Sequence, residues 1–139
     1  MRIFIIAIVL NILLITNIYP SEREEELNKL FIDLQVDNIN SAYVTEQKIW
    51  EIWRTHPTDK NLTLILKKGS NLINGNKPLD AINVFTNLID LDPLWAEAWN
   101  KRATVFYLIG EYQKSQDDIN KVLKLEKRHF GALTGQGLV

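Results

Sequence analysis

Two histidines, four serines and the adjacent pair Asp117-Asp118 are the residues from which this chain would have to assemble catalysis or metal binding. His56 and His129 are far apart, each at the boundary of an element. Neither stands in a spacing such as H-E-x-x-H, which sets two imidazoles on one helix face. Ser21, Ser41, Ser70 and Ser115 have no G-x-S-x-G context, so the sharp turn that exposes a nucleophilic serine is missing. The sequence contains no P-loop and no G-x-G-x-x-G. Gly131, Gly135 and Gly137 read instead as small packing residues or a frayed end. Successive helix residues do not face each other, so Asp117 and Asp118 read as a solvated face rather than a carboxylate pair. The acidic run Glu22, Glu24, Glu25 and Glu26 suits the first turns of a helix, where the dipole favours negative charge, better than a metal. The chain has no cysteine, which excludes disulfides, thiolate metal sites, a cysteine nucleophile and a lipidated cysteine. The expectation is a protein without catalytic residues, metal or cofactor.

The totals agree with a folded domain. At 139 residues there is room for one ordinary domain, and 46% hydrophobic with 24% charged residues is normal for a globular chain. Net charge is −1, and Lys67, Lys68, Lys77, Lys101 and Arg102 are interleaved with Glu97, Glu111, Asp117 and Asp118. That pattern leaves no basic footprint for nucleic acid.

Residues 1–21 stand apart. Arg2 precedes seventeen uncharged residues, Ile3–Tyr19, and Pro20-Ser21 leads into the acidic run. A basic start, an apolar core and a polar exit predict an export signal, with cleavage expected after Ser21. The alternative is a retained anchor through residues 3–19, the only route by which a membrane would enter, giving an inner-membrane-tethered scaffold or assembly factor.

From Glu22 the pattern turns amphipathic. Leu27, Leu30, Phe31 and Leu34 fall at i, i+3, i+4 and i+7 of a first helix reaching about Val36, and the segment 37–41 breaks it. A second helix follows to about Thr55, with Ala42, Ile49, Trp50, Ile52 and Trp53 on its apolar face and the two tryptophans as packing residues. Beyond the turn cluster His56–Asn61, the chain repeats itself. A shift of 34 residues lays Ile65 on Trp99, Gly69 on Ala103, Leu72 on Phe106 and Asn76 on Gly110. It also lays Ala81 on Ser115, Phe85 on Ile119, Leu88 on Val122 and Leu91 on Leu125. Each period is a front helix, a tight turn and a back helix, and a partial third period begins at Phe130.

The period and the residues Ala81-x3-Phe85 with Pro93, Gly69 with Leu72, and Trp99 resemble the tetratricopeptide-repeat family over residues 62–127. Lys68 and Arg102 depart from the family's leucine, and Lys127 from its proline, which bears on where the last back helix ends. The layout is similar to small exported bacterial members. The resemblance implies an all-α helix–turn–helix solenoid, with repeats at about 62–95, 96–129 and a partial 130–139. The hairpin of residues 22–56 caps the array, whose end would otherwise expose an apolar face. It also implies a non-enzymatic module of the periplasm or cell envelope, holding a protein or peptide partner in a concave groove. The groove residues it points to are Leu66, Lys67, Ser70 and Ile73, with Asn100, Lys101, Thr104 and Tyr107. Lys101 and Asn100 are adjacent rather than a turn apart, so a clamp for a C-terminal carboxylate is not reproduced. Phe130, Ala132, Leu133, Leu138 and Val139 are expected to form an apolar edge that self-associates through residues 119–139 or captures a partner helix.

Overall fold

The computed structural model describes residues 21–36 and 39–139, and the expected export segment lies outside them apart from Ser21. The chain divides into two compact units, Met1–Ile52 and Trp53–Val139. All regular structure among the described residues is helical. The helices are α1 (Glu22–Val36), α2 (Ile39–Arg54), α3 (Lys60–Asn74), α4 (Pro78–Leu91), α5 (Ala96–Leu108), α6 (Tyr112–Leu125) and α7 (Phe130–Gln136). None of these is long and apolar enough to cross a membrane.

In the first unit, the hydroxyl of Ser21 accepts the Glu24 N–H at 3.3 Å and caps α1, whose first turn carries Glu22, Glu24 and Glu25. Leu27 and Leu30, on the predicted stripe, are buried, as are Thr45 and Ile49 of α2. The Arg23 guanidinium donates to the Ile52 carbonyl. Helix α2 starts at Ile39, inside the stretch expected to be a break, of which residues 37 and 38 lie outside the described residues.

The second unit is built from the repeat, and its hydrogen bonds recur with the period. After α3, Lys77 N–H reaches Leu72 C=O at 2.8 Å and Asn76 N–H reaches Ile73 C=O at 3.0 Å. After α5, Glu111 N–H reaches Phe106 C=O at 2.9 Å and Gly110 N–H reaches Tyr107 C=O at 3.1 Å. This is the same paired C-terminal cap 34 residues apart, and it needs a left-handed residue. Asn76 (φ 54°) and Gly110 (φ 80°) supply it, two residue types that tolerate that region.

The turns between repeats match as well. Asp92 N–H bonds Leu88 C=O, and its carboxylate accepts the Leu94 N–H at 2.9 Å. Glu126 N–H bonds Val122 C=O, and its carboxylate accepts the Arg128 N–H at 2.9 Å. Lys127 therefore costs the second repeat its proline but not its turn, and α6 ends at Leu125, in register with Leu91. The Glu126 side chain fixes the backbone that Pro93 restricts in the first repeat. Asp92 does not cap α5 directly, because that helix begins after Trp95.

The core follows the small-against-large pattern. Leu66, Ala81, Phe85, Leu88, Ile89, Trp95, Ala98 and Val105 form one buried cluster. Ala103, Ile119, Val122 and Ala132 form a second. Gly69 lies so close to Phe85 that a Cβ there would sit 2.5 Å from the ring, so this helix contact requires glycine. In the next repeat Ala103 stands at the Gly69 position, and the hydroxyl of Ser115 donates to the Ala103 carbonyl at 2.9 Å. Arg102, standing where the repeat pattern has leucine, makes two 2.8 Å bonds to Asp118 and one of 3.0 Å to Thr86. Its guanidinium lies 5.1 Å from the Trp99 ring centre. One cation thus joins α4, α5 and α6, through polar bonds rather than burial. Asp118 is consequently buried, not solvated as the sequence suggested, while Asp117 is exposed.

Candidate functional site

The front helices α3 and α5 carry matching faces. Lys67 and Lys101 stand at equivalent positions, followed by Ser70 and Thr104 and then by Ile73 and Tyr107. Ser70 donates its hydroxyl to the Leu66 carbonyl at 3.1 Å, and Thr104 does the same to the Asn100 carbonyl at 3.0 Å. Each hydroxyl is tied to the preceding turn of its own helix, which leaves the methyl of Thr104 as its outward group. Lys67 and Thr104 are exposed, while Ser70, Ile73, Lys101 and Tyr107 are half-buried. Tyr107 packs against Tyr112, ring centres 5.6 Å apart.

Leu66 falls on the same stripe as Ser70 and Ile73 but is not open to a partner. It is 3% exposed and belongs to the core cluster. At about 100° per residue it projects between Ser70 and Ile73, on the border of the face that turns into the core, while Lys67 stands on the opposite, exposed border. Asn100 is buried too, but it lines a cavity of about 150 Å³ bounded by α5, α6 and α7. Asn100, Thr104 and Tyr107 form one wall of that cavity, with Gly131, Thr134 and Gly135 among the residues opposite. The structure brings these three predicted residues of α5 together with α7. It leaves Lys101 occupied elsewhere, 3.4 Å from Glu97.

Helix α7 is held in place by a buried polar cluster that the sequence did not reveal. The carboxylate of Glu97 and the ring of His129 are both inaccessible to solvent and 3.1 Å apart. The same Glu97 oxygen accepts from the Asn100 amide at 3.0 Å. The His129 Nδ1 accepts the Ala132 N–H at 3.2 Å and so caps α7, which leaves Nε2 to carry the proton toward Glu97. Trp53 stacks on the imidazole, ring centres 4.1 Å apart and planes 14° from parallel. His56 works in the same way at the start of α3: its Nδ1 accepts the Asp59 N–H at 2.9 Å, and its Nε2 lies 2.8 Å from Asp92. Both histidines hold chain turns, and among the described residues no group of His, Asp and Glu gathers as a metal site. The expected C-terminal edge is narrower than the sequence indicates. Ala132 is fully buried and Phe130 packs on Trp53, leaving Leu133, Leu138 and Val139 exposed.

Comparison with known proteins agrees with this geometry. A TPR repeat-containing protein of Rhizobium etli is 31% identical over 120 residues, 86% of this chain and 58% of that protein. A tetratricopeptide repeat protein 36 homolog of Nematostella vectensis is 27% identical over 113 residues, 81% of this chain and 51% of that protein. No family model matches. With the 34-residue recurrence of caps and turns, these relatives decide the matter. The chain belongs to the tetratricopeptide-repeat family. It spans between half and three-fifths of the length of these relatives. The tetratricopeptide hairpins account for α3 to α6, and α7 stands where the next front helix begins.

Proposed function

We propose that this tetratricopeptide-repeat chain is a non-enzymatic interaction module that binds a protein or peptide segment along the front-helix face of α3 and α5. The observation that carries the reading is the recurrence of one face at matching positions, Lys67 with Lys101, Ser70 with Thr104 and Ile73 with Tyr107. Its hydroxyls are already tied to the backbone, so little ordering is left for a partner to impose. The relatives, which carry the same repeats, support a role in protein recognition. Replacing Lys67 by Glu and Tyr107 by Ala should weaken partner recovery at least tenfold, with thermal stability nearly unchanged. Equal recovery from the folded double variant would defeat this reading.

The same proposal places the protein in the bacterial cell envelope. Arg2, the apolar run Ile3–Tyr19 and Ser21 support export with cleavage after Ser21. Fractionation and intact mass test it. The expected product is outside the cytoplasm and begins at Glu22. Full-length mass in salt-resistant membranes would favour the retained anchor.

A further inference from the structure

The cavity between α5, α6 and α7 has a composition that specifies what can enter it. We infer that it is a pocket for one uncharged, apolar side chain of a partner segment, leucine to phenylalanine in size, and that it rejects carboxylates and ammonium groups. This rests on reading the front-helix face as a protein-binding face, which the pocket adjoins through Thr104 and Tyr107.

Three observations carry it. The first is volume: about 150 Å³ is the space that holds a six-membered ring. The second is charge, since none of the lining residues is ionisable at neutral pH. Lys101, the nearest cation in sequence, is turned to Glu97. The third is that three of the wall's five polar side chains already spend a donor within the protein. The Asn100 amide donates to Glu97, the Thr104 hydroxyl to the Asn100 carbonyl, and the Ser115 hydroxyl to the Ala103 carbonyl. A carboxylate placed there would meet no cation and few donors beyond the Tyr107 and Thr134 hydroxyls, which poorly replaces the water it gives up, whereas a hydrocarbon loses nothing. The space exists because α7 presents glycine. A Cβ on Gly135 would approach Ile119 to 3.0 Å, so even a methyl group begins to fill it.

The probes are capped amino acids titrated into the isotope-labelled full chain, with amide shifts as the readout. N-acetyl-leucinamide and N-acetyl-phenylalaninamide should move the amides of Ala103, Gly131 and Gly135 at millimolar concentration. The N-acetyl amides of glutamate and lysine should require at least about tenfold more. Thr104→Phe and Thr134→Phe, at exposed positions on opposite walls, should each fill the mouth and abolish the shifts while the spectrum stays folded. The inference is overturned if the apolar probes leave these amides unmoved in the wild type. It is equally overturned if the glutamate derivative matches them, or if both fillers leave binding intact. A partner that still needs Lys67 and Tyr107 while the apolar probes fail would sink the pocket alone and leave the binding face standing.

Discussion

Removing the Glu97 carboxylate is the most informative perturbation of the second unit. Glu97→Ala takes the acceptor from His129 Nε2–H and from the Asn100 amide at a site with no access to water. A buried donor left without a partner costs about 1–3 kcal/mol, and two are created. Lys101 loses its partner as well, but its side chain is a quarter exposed and can turn to solvent, so that contribution is about 0.5 kcal/mol or less. The two donors together cost about 2–6 kcal/mol, centred in the range for breaking a buried charged pair. Glu97→Gln keeps an acceptor and removes the charge: one carboxamide oxygen can still accept from both His129 and Asn100. Its amide nitrogen, however, sets donors where the buried oxygen now faces the Lys101 ammonium. The Gln variant should therefore cost about 1 kcal/mol for weaker bonds plus about 1–3 kcal/mol for a buried donor without an acceptor. Urea unfolding reads both. With slopes of about 1–3 kcal/mol per molar, a loss of about 4 kcal/mol lowers the Ala midpoint by about 1–4 M. If Glu97→Ala costs under about 1 kcal/mol, the cluster contributes nothing.

Three further changes test the packing and the charges. Gly69→Ala drives a methyl against a Phe85 ring that is fully buried. Overpacking of about 2–3 kcal/mol should outweigh the helix-propensity gain of about 1 kcal/mol, so thermal unfolding should show a net loss. Arg102→Leu restores the family residue yet strands the buried Asp118, so calorimetry should show a loss of about 3–5 kcal/mol that Asp118→Leu in the same chain largely recovers. Burial alone would raise the Glu126 carboxyl, but hydrogen bonds from the Arg128 side chain and backbone N–H bring it below the usual carboxylate range. Its contribution is then complete above the unfolded value of about 4.3 and disappears as pH falls through the lower folded value. The stability gap between wild type and Glu126→Gln should be constant above about pH 5.5 and close on further acidification.

The sequence showed the parts of the fold that local spacing encodes. The 34-residue recurrence made the helical hairpins of α3 to α6 legible, because the apolar stripe, the turn at Asn76 and Gly110 and the small–large pairs are all short-range signals. Long-range polar pairing was hidden. Asp118 looked solvated because its partner Arg102 arrives from 16 residues away, and Glu97 looked ordinary because His129 lies 32 residues along the chain. Hydropathy cannot show that a charged residue will be buried when the group that compensates it belongs to another helix. Among the candidate site residues, Leu66 shares the i, i+4, i+7 stripe of Ser70 and Ile73 yet is buried, because spacing alone does not show which border of a stripe another helix covers. The α5 wall of the cavity was legible only as three residues expected to line a groove, Asn100, Thr104 and Tyr107. Its opposite wall was not, since Gly131 and Gly135 matter through the space they leave open.

Site-specific photo-crosslinking tests the proposed binding face most directly. A benzoylphenylalanine in place of Asn74, exposed on α3 between Lys67 and Ser70 in helical projection, is compared with one in place of Lys124, exposed on the back helix α6. The front-helix reading predicts a discrete protein adduct from position 74 in native cells, lost on adding Tyr107→Ala, and none from position 124. Adducts from 124 but not from 74 would contradict it.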